Sequence, residues 1–252
     1  SVHCCLEMVQ QRIALFGTSA DPPTRGHQAL LEQLLHRYDR VATWASDNPM
    51  KQHGAALSVR AMLLKALVGQ LSSPNLELTQ DLSSPFTMET LHRAHQRWPQ
   101  HNLVFVVGSD LAAQIPHWKQ ADQWLSQCHM AIAPRQGWPL TAMALADLTR
   151  CGASVEVLDV EIPASASSEQ RRAPQPEQVP GAVWPLLLEH NLYGLNPTPL
   201  LMRLALAQIN PLVGDLQGNA ERILVAASTA QRDGADVLLT PELSLWGYPP
   251  RD

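Results

Sequence analysis

The sequence has few cysteines, and they are not spaced as metal ligands. There are 4 in 252 residues: Cys4 and Cys5 are adjacent, while Cys128 and Cys151 stand alone. Zinc sites use Cys-x-x-Cys or mixed Cys/His spacings, and none is present, so we expect no metal held by protein ligands. Adjacent or isolated cysteines in a chain of this length are typical of reduced thiols, which predicts a cytoplasmic protein.

Basic patches and long apolar runs are also missing. No apolar run approaches the roughly 20 residues of a membrane-spanning helix, and residues 1–11 lack the charged start and apolar core of a signal peptide. The formal net charge is −5, and Arg171-Arg172 is the one basic pair. Nucleic-acid and membrane-surface proteins present a basic face. We therefore expect neither partner, although a nucleotide needs only a few placed cations.

Short apolar strands alternate with helical patterns along most of the chain. The strand signals lie at 13–16, 41–45, 76–78, 103–107, 130–133 and 155–158. Helical periodicity lies between them, beginning near Gln28, at Ser58 as an N-cap, at Met88 and at Ala121. Alternation of this kind predicts an α/β fold, a Rossmann-like doubly wound parallel sheet with helices on both faces. Ligands of such sheets bind at the carboxyl ends of the strands.

The last quarter of the chain begins a new pattern. A closing helix is predicted over Trp184–Tyr193, and Asn196-Pro197-Thr198-Pro199 is typical of a linker. A strand, a helix and another strand then follow. We predict an extension at 1–11, a main domain at 12–195, a linker at 196–201, and a β-α-β fragment of a second α/β domain at 202–252. Two strands and one helix do not bury a core alone.

The loop Gly17–His27 joins the first strand to the first helix, which is the usual geometry for holding a phosphate. Free N–H groups and the positive end of the helix dipole favour an anion there. Thr24 and His27 are three residues apart and can both donate hydrogen bonds to phosphoryl oxygens. The alternative is a histidine at a helix start with no ligand.

Three other segments carry weaker signals. Ser167 and Gln170 fit a capping box whose helix start, with Arg171, could hold outer phosphates; the alternative is a solvated loop. Asp110, after a strand and Gly108, could cap a helix or bind a ribose. Trp118 could stack on a flat ring or pack in the core.

Together these segments resemble bacterial nicotinate-nucleotide adenylyltransferase, of the nucleotidyltransferases with an H/T-x-G-H motif. The resemblance covers roughly 12–193. Its parts occur in the family's order: Gly17–His27, Asn48–Lys51, Arg60–Leu63, Pro85–Leu91, Val107–Asp110, Pro116–Trp118, Pro134–Pro139 and Ser167–Arg171.

The resemblance implies transfer of the adenylyl group of Mg-ATP to nicotinate mononucleotide, with Mg²⁺ carried by ATP. His27 and Thr24 would be catalytic. ATP would be bound by Gly17, Thr18, Gly26, Lys51, Gly108, Asp110, Ser167, Ser168 and Arg171. The pyridine substrate would be bound by Thr87, Trp118 and Arg135. Trp118 would stack on the pyridine ring, and Thr87 with Arg135 would bind the nicotinate carboxylate.

The sequence also departs from the family pattern. Thr24 stands where the family usually has a histidine, Phe86 replaces a tyrosine, and Gln136 interrupts the turn after Arg135. Arg172 is the alternative to Arg171. The other functions considered are adenylyl transfer to nicotinamide mononucleotide or phosphopantetheine, and a non-catalytic nucleotide-binding module.

The C-terminal segment resembles the start of the nitrilase-like glutaminase domain of glutamine-dependent NAD synthetase. Glu242 would be the general base of that family's Glu–Lys–Cys triad. No Lys or Cys follows Glu242 in this sequence, so we expect no glutaminase activity. The resemblance implies a functional link to NAD synthetase.

Overall fold

The computed structural model describes residues 10–160, 167–195 and 202–249. The chain divides into two compact units, with the boundary between Pro197 and Thr198. The predicted linker at 196–201 and most of the predicted extension at 1–11 lie outside the described residues.

Six parallel strands form the sheet of the first unit. In chain order they are β1 (Arg12–Thr18), β2 (Arg40–Ala45), β3 (Leu76–Leu78), β4 (Asn102–Gly108), β5 (His129–Ala133) and β6 (Ser154–Val157). Across the sheet the order is β3-β2-β1-β4-β5-β6. The prediction of a Rossmann-like parallel sheet is confirmed. The order reverses between β1 and β4, and such a switch point is where ligands bind in sheets of this kind.

Helices cover both faces of this sheet. They are α1 (Arg25–Arg37), α2 (Leu57–Leu71), α3 (Thr87–Arg97), α4 (Ser109–Ala112), α5 (Ala121–Trp124), α6 (Ala142–Arg150), α7 (Ser167–Arg172) and α8 (Trp184–Glu189). Side chains alternate along each strand, so Ile13 and Leu15 pack with α3, α5 and α6, whereas Ala14 and Phe16 pack with α1, α2 and α8. The strands read as continuous apolar runs because both faces are buried.

Three predicted helix boundaries are wrong. Helix α2 is capped by Ala56, whose carbonyl accepts from the Arg60 N–H at 3.0 Å, so Ser58 lies inside the first turn. Helix α1 begins at Arg25 rather than near Gln28, because its first turn is polar and carries no apolar periodicity. The closing helix stops at Glu189.

The second unit is a small β-α-β arrangement. It contains β7 (Leu204–Leu206), α9 (Leu216–Arg232) and β8 (Val237–Leu239), and its two strands pair in parallel. The buried Asn219 amide donates to the carbonyls of Leu212 and Leu245, at 2.7 and 3.0 Å. The predicted second sheet is confirmed. Its strand side chains stay largely exposed, with Leu206 at 69%, as expected for two strands and one helix.

Candidate active site

Packing against Trp44 explains why residue 17, near the end of β1, is a glycine. Gly17 pairs with Trp44 on β2, and a Cβ added at Gly17 would lie 2.8 Å from the indole of Trp44. Trp44 is buried, so the ring has little room to move. The predicted phosphate contact of Gly17 is therefore not needed to explain this glycine. Thr18 ends the strand, and its hydroxyl accepts from the Ala20 N–H at 3.3 Å.

Thr24 caps α1 and orients His27. The Thr24 backbone N–H donates to His27 Nδ1 at 3.0 Å, and Thr24 Oγ1 lies 2.9 Å from the same nitrogen. Because Nδ1 accepts a hydrogen bond, the proton of the neutral ring resides on Nε2. Thr24 is only 1% exposed, so its hydroxyl lies beneath the imidazole. Gly26, in the first turn, is also buried.

Burial and two nearby cations keep His27 neutral. Burial, followed by the charges of Arg135 and Lys51, lowers the pKa of His27 to about 4. Lys51 follows β2, and its ammonium donates to Ser19 Oγ at 3.0 Å. Burial and the nearby Arg171 lower the pKa of Lys51. The structure thus brings Lys51, Arg135 and Arg171 near His27. Two carboxylates, Asp21 and Asp110, lie among these three cations, and the remaining excess of positive charge suits a polyanionic ligand.

Asp21 lies under this region and is 1% exposed. Its carboxylate accepts from the N–H groups of Gly54 at 2.7 Å and Ala55 at 3.1 Å, and from the Tyr193 hydroxyl at 2.6 Å. Arg171 Nη1 lies 3.6 Å from the same carboxylate and donates to the Asp21 carbonyl at 2.8 Å. A buried carboxylate is tolerated only with such partners.

The buried Arg60 side chain connects the loops that follow β1 and β2. Its guanidinium donates to the carbonyls of Ser19 and Ser46, both at 2.8 Å, and to that of Ala55 at 3.1 Å. It is 1% exposed and faces no open surface. Arg60 therefore fixes the loops after β1 and β2 relative to the start of α2.

The Ser167–Arg171 element reaches the site, but not as a capping box. Ser167 Oγ donates to the Pro22 carbonyl at 3.0 Å, and Ser168 is exposed. The Gln170 side chain accepts from the Gln175 N–H at 2.9 Å, so it stabilises the following turn and does not reach back to the helix start. Of the two adjacent arginines, Arg171 and not Arg172 contacts Asp21.

The turn after β4 forms the other side of the site. Gly108 caps α4, and an added Cβ there would lie 2.4 Å from Asp110 Oδ1. Asp110 caps no helix; its carboxylate accepts from Arg135 Nη1 at 3.0 Å. Ser109 Oγ accepts from the Arg135 N–H at 2.9 Å and donates to the Trp138 carbonyl at 2.6 Å. The turn that carries Arg135 is thus anchored to β4.

Two of the three predicted pyridine-binding residues, Thr87 and Trp118, share no hydrogen bond or ring contact with this cluster in the described part of the chain, whereas the third, Arg135, belongs to it. Thr87 is the first residue of α3 and is half-buried. Trp118 is also half-buried and lies against Trp124, with ring centroids 6.2 Å apart. Within the described ranges, no hydrogen bond or ring contact links Thr87 or Trp118 to Arg135. Glu242 is exposed in the turn after β8.

Asp21, Arg60, Ser109 and Tyr193 are the site residues that sequence reasoning missed. An arginine inside the apolar face of Val59, Met62 and Leu63 was a usable signal for Arg60. Tyr193 carried no such signal, because its partner Asp21 is 172 residues away in sequence.

Neither a metal centre nor a membrane segment is found in the described part of the chain. No three His, Cys, Asp or Glu side chains there are grouped as metal ligands. No helix over those residues has the length and apolarity to cross a membrane.

The chain is similar to known nucleotidyltransferases. The cytidylyltransferase-like family matches residues 15–173. A protein of Synechocystis named a probable nicotinate-nucleotide adenylyltransferase is 34% identical over 197 residues, 72% of this chain and 98% of that protein. The Plasmodium falciparum nicotinic acid mononucleotide adenylyltransferase complexed with NaAD aligns with a TM-score of 0.61 at 18% identity, covering 74% of this chain and 98% of that one.

A second relative matches the C-terminal unit. A glutamine-dependent NAD(+) synthetase of Synechocystis is 58% identical over 52 residues, which are 21% of this chain and 9% of the synthetase.

The packing of Trp44 on Gly17 predicts that Gly17→Ala destabilises the protein. The added methyl group would overlap the indole, and overpacking of this kind costs about 1–3 kcal/mol in the free energy of unfolding. Gly69, inside α2, has no atom within 4 Å of a built Cβ, so Gly69→Ala should stabilise by about 0.5–1 kcal/mol. Urea unfolding of both variants measures the contrast, and equal effects would contradict this account of Gly17.

The hydrogen bond to Nδ1 predicts the protonation of His27. In ¹⁵N-detected imidazole spectra of the ligand-free protein, His27 should show the neutral Nε2–H tautomer from pH 8 down to about pH 5, since its pKa is lowered to about 4. A His27→Gln variant assigns the signal. Titration near pH 6.5, or a proton on Nδ1, would disprove the assignment.

Proposed function

This chain belongs to the cytidylyltransferase-like nucleotidyltransferases and, within them, to the nicotinate-nucleotide adenylyltransferases, and we propose that it transfers the adenylyl group of Mg-ATP to nicotinate mononucleotide. The products are deamido-NAD and pyrophosphate, so the reaction is a step of NAD biosynthesis. One arrangement in this chain carries the proposal: His27 stands at a helix start with Nδ1 held by the Thr24 N–H, the charges of Arg135 and Lys51 act on it, and Arg171 lies near Lys51.

The reaction is an in-line displacement at the α-phosphorus of ATP. A phosphate oxygen of nicotinate mononucleotide forms the new bond to that phosphorus, and the bond to the bridging oxygen of the β-phosphate breaks. The electron pair leaves with pyrophosphate. Such transfers need little covalent chemistry from the protein, so positioning and charge stabilisation dominate catalysis.

In this proposal His27 is the catalytic donor. Its Nε2–H donates to an oxygen of the α-phosphoryl group as negative charge develops there. Thr24 serves as a positioning residue, because its backbone N–H fixes the tautomer and its hydroxyl is buried against Nδ1. Sequence reasoning had made Thr24 a second direct donor; its burial favours the positioning role.

Lys51 and Arg171 are proposed to bind the outer phosphates. The Arg171 side chain is 24% exposed and uses Nη1 on Asp21, which leaves its other donors toward solvent. We also propose that Gly17, Thr18, Gly26, Ser167 and Ser168 bind ATP on this side and that Gly108 and Asp110 bind its adenosine. Mg²⁺ would arrive bound to ATP phosphates and would neutralise charge on the leaving pyrophosphate.

Arg135 could bind either of two acidic groups of nicotinate mononucleotide, its phosphate or its carboxylate. The sequence prediction assigned it, with Thr87, to the nicotinate carboxylate. Its charge acts on His27 and pairs with Asp110, which favours the phosphate of the mononucleotide instead. Thr87 and Trp118 would then contact the pyridine ring and its carboxylate.

We place the activity in the cytoplasm and link it to NAD synthetase. Cys128 and Cys151 are free thiols, as expected of a reducing compartment. The C-terminal unit resembles a segment of an enzyme whose family acts on deamido-NAD.

An assay of pyrophosphate release tests the function and His27 together. With Mg-ATP and nicotinate mononucleotide the protein should turn over, and His27→Ala should lower kcat by about 10²–10³-fold, as for the loss of one transition-state donor. His36→Ala is the matched control, since His36 is exposed near the end of the same helix.

Nicotinamide mononucleotide and phosphopantetheine, supplied in place of nicotinate mononucleotide, identify the alternative substrates. No release with any of the three would reject the enzyme in favour of a nucleotide-binding module. An unchanged kcat in His27→Ala would make His27 a structural residue.

Arg135→Ala distinguishes the phosphate from the carboxylate. If Arg135 binds the phosphate, kcat/KM should fall by roughly 10–100-fold, the scale of one charge-assisted hydrogen bond, for nicotinate and nicotinamide mononucleotides alike. Arg150→Ala, on the exposed side of α6, should change neither. A loss confined to the nicotinate substrate would return Arg135 to the carboxylate.

A further inference from the structure

Tyr193 lies in the closing turn of the first unit, residues 191–194, and donates its hydroxyl to Asp21 Oδ1 at 2.6 Å. We infer that Tyr193 is a positioning residue of the triphosphate site, which holds the Asp21 carboxylate so that Arg171 presents its free guanidinium edge to the leaving pyrophosphate. This inference rests on the proposed function and adds to it a residue from the last turn of the unit.

The hydrogen bonds divide the Asp21 carboxylate between two sides. Oδ1 accepts from Tyr193 and Ala55, while Oδ2 accepts from Gly54 and faces Arg171 at 3.6 Å. Asp21 is 1% exposed, so no bulk water replaces a lost donor. Without the Tyr193 hydroxyl, Oδ1 would lose its shortest bond, and the carboxylate could turn toward its neighbouring cations.

Packing places the tyrosine ring beside the arginine stem. A Cβ built on Gly54 would lie 2.6 Å from Arg171 Cδ and 3.0 Å from Tyr193 Cε1. The side chains of Arg171 and Tyr193 therefore both pack on the Cα of Gly54, in the space that a larger residue's side chain would fill. This contact restricts the Arg171 stem while Nη1 is held by the Asp21 carbonyl.

The backbone of the closing turn is unusual in the same place. Asn191 and Tyr193 have φ of +50° and +56°, and Gly194 has +73°. A left-handed conformation is rare for a bulky residue such as tyrosine and is retained where surrounding contacts fix it. Here those contacts are with Asp21 and Gly54.

Tyr193 remains a donor at working pH. Burial and the hydrogen bond to Asp21 raise the pKa of Tyr193, so the hydroxyl stays protonated. Two other titratable groups, His53 and Arg60, lie near Asp21. His53 Nδ1 is 3.7 Å from Oδ2, and burial with the charge of Arg60 lowers its pKa. Tyr193 thus supplies a neutral hydrogen bond among cationic neighbours.

The test uses Tyr193→Phe in the full chain, which removes the hydroxyl and keeps the ring. In the reverse reaction we expect the KM for pyrophosphate to rise about tenfold, with the KM for deamido-NAD changed less than twofold. Tyr38→Phe is the matched control: Tyr38 is buried, and its hydroxyl likewise donates to a carboxylate, that of Glu156, at 2.8 Å. It should leave both constants unchanged.

A double-mutant cycle separates positioning from mere structural support. If Tyr193 acts through Arg171, Tyr193→Phe should add less than twofold to the rise in pyrophosphate KM already caused by Arg171→Ala. The inference would be overturned if the effects of the two substitutions on the pyrophosphate KM multiplied in the double variant. It would also be overturned if Tyr193→Phe left that KM unchanged or raised the KM values for pyrophosphate and deamido-NAD equally.

Pyrophosphate binding measured by calorimetry tests the inference without requiring turnover. If the wild type releases no pyrophosphate from any substrate, the proposed function fails, yet weaker pyrophosphate binding by Tyr193→Phe than by Tyr38→Phe would still support the positioning role. Equal binding by the two variants would reject it.

Discussion

The site depends on one buried charge, the carboxylate of Asp21. A carboxylate this buried must find donors on every side, because its desolvation is costly and water is excluded. Hydrogen bonds to the carboxylate come from the loop before α2 and from the closing turn, while α7 supplies Arg171, whose guanidinium lies 3.6 Å from the carboxylate. Satisfying Asp21 therefore brings together segments that are far apart in the chain, and in doing so places Arg171 beside the loop after β1.

A second constraint is the concentration of positive charge. Lys51, Arg135 and Arg171 lie near one another in a chain whose net charge is −5. Burial lowers the pKa of His27 most, and the charges of Arg135 and Lys51 lower it further because they repel a protonated imidazole. The repulsion is relieved when a polyanion binds, so the charge arrangement that keeps His27 neutral also favours a triphosphate.

The sheet was predictable because the signal for each strand lies within a few consecutive residues. Apolar runs such as Ile13–Phe16 and Leu103–Val107 identify strands by themselves, and their alternation with helices indicates a parallel order. The network around Asp21 was not predictable in this way. The contact with Tyr193 depends on how the whole sheet is ordered, and nothing in the closing turn distinguishes that tyrosine from a packing residue. Ser58 failed as a cap for a related reason, since the start of α2 is fixed by the bonds of Gly54 and Ala55 to Asp21.

The threonine at position 24 follows from how His27 is held. The bond that fixes the imidazole tautomer comes from the backbone N–H of residue 24, which any residue except proline supplies. The side chain must only suit an N-cap and fit a buried space, and a threonine hydroxyl meets both requirements. A histidine at that position is therefore not required to orient His27. The departure at Thr24 is compatible with a competent catalytic donor, because the group that positions His27 belongs to the main chain.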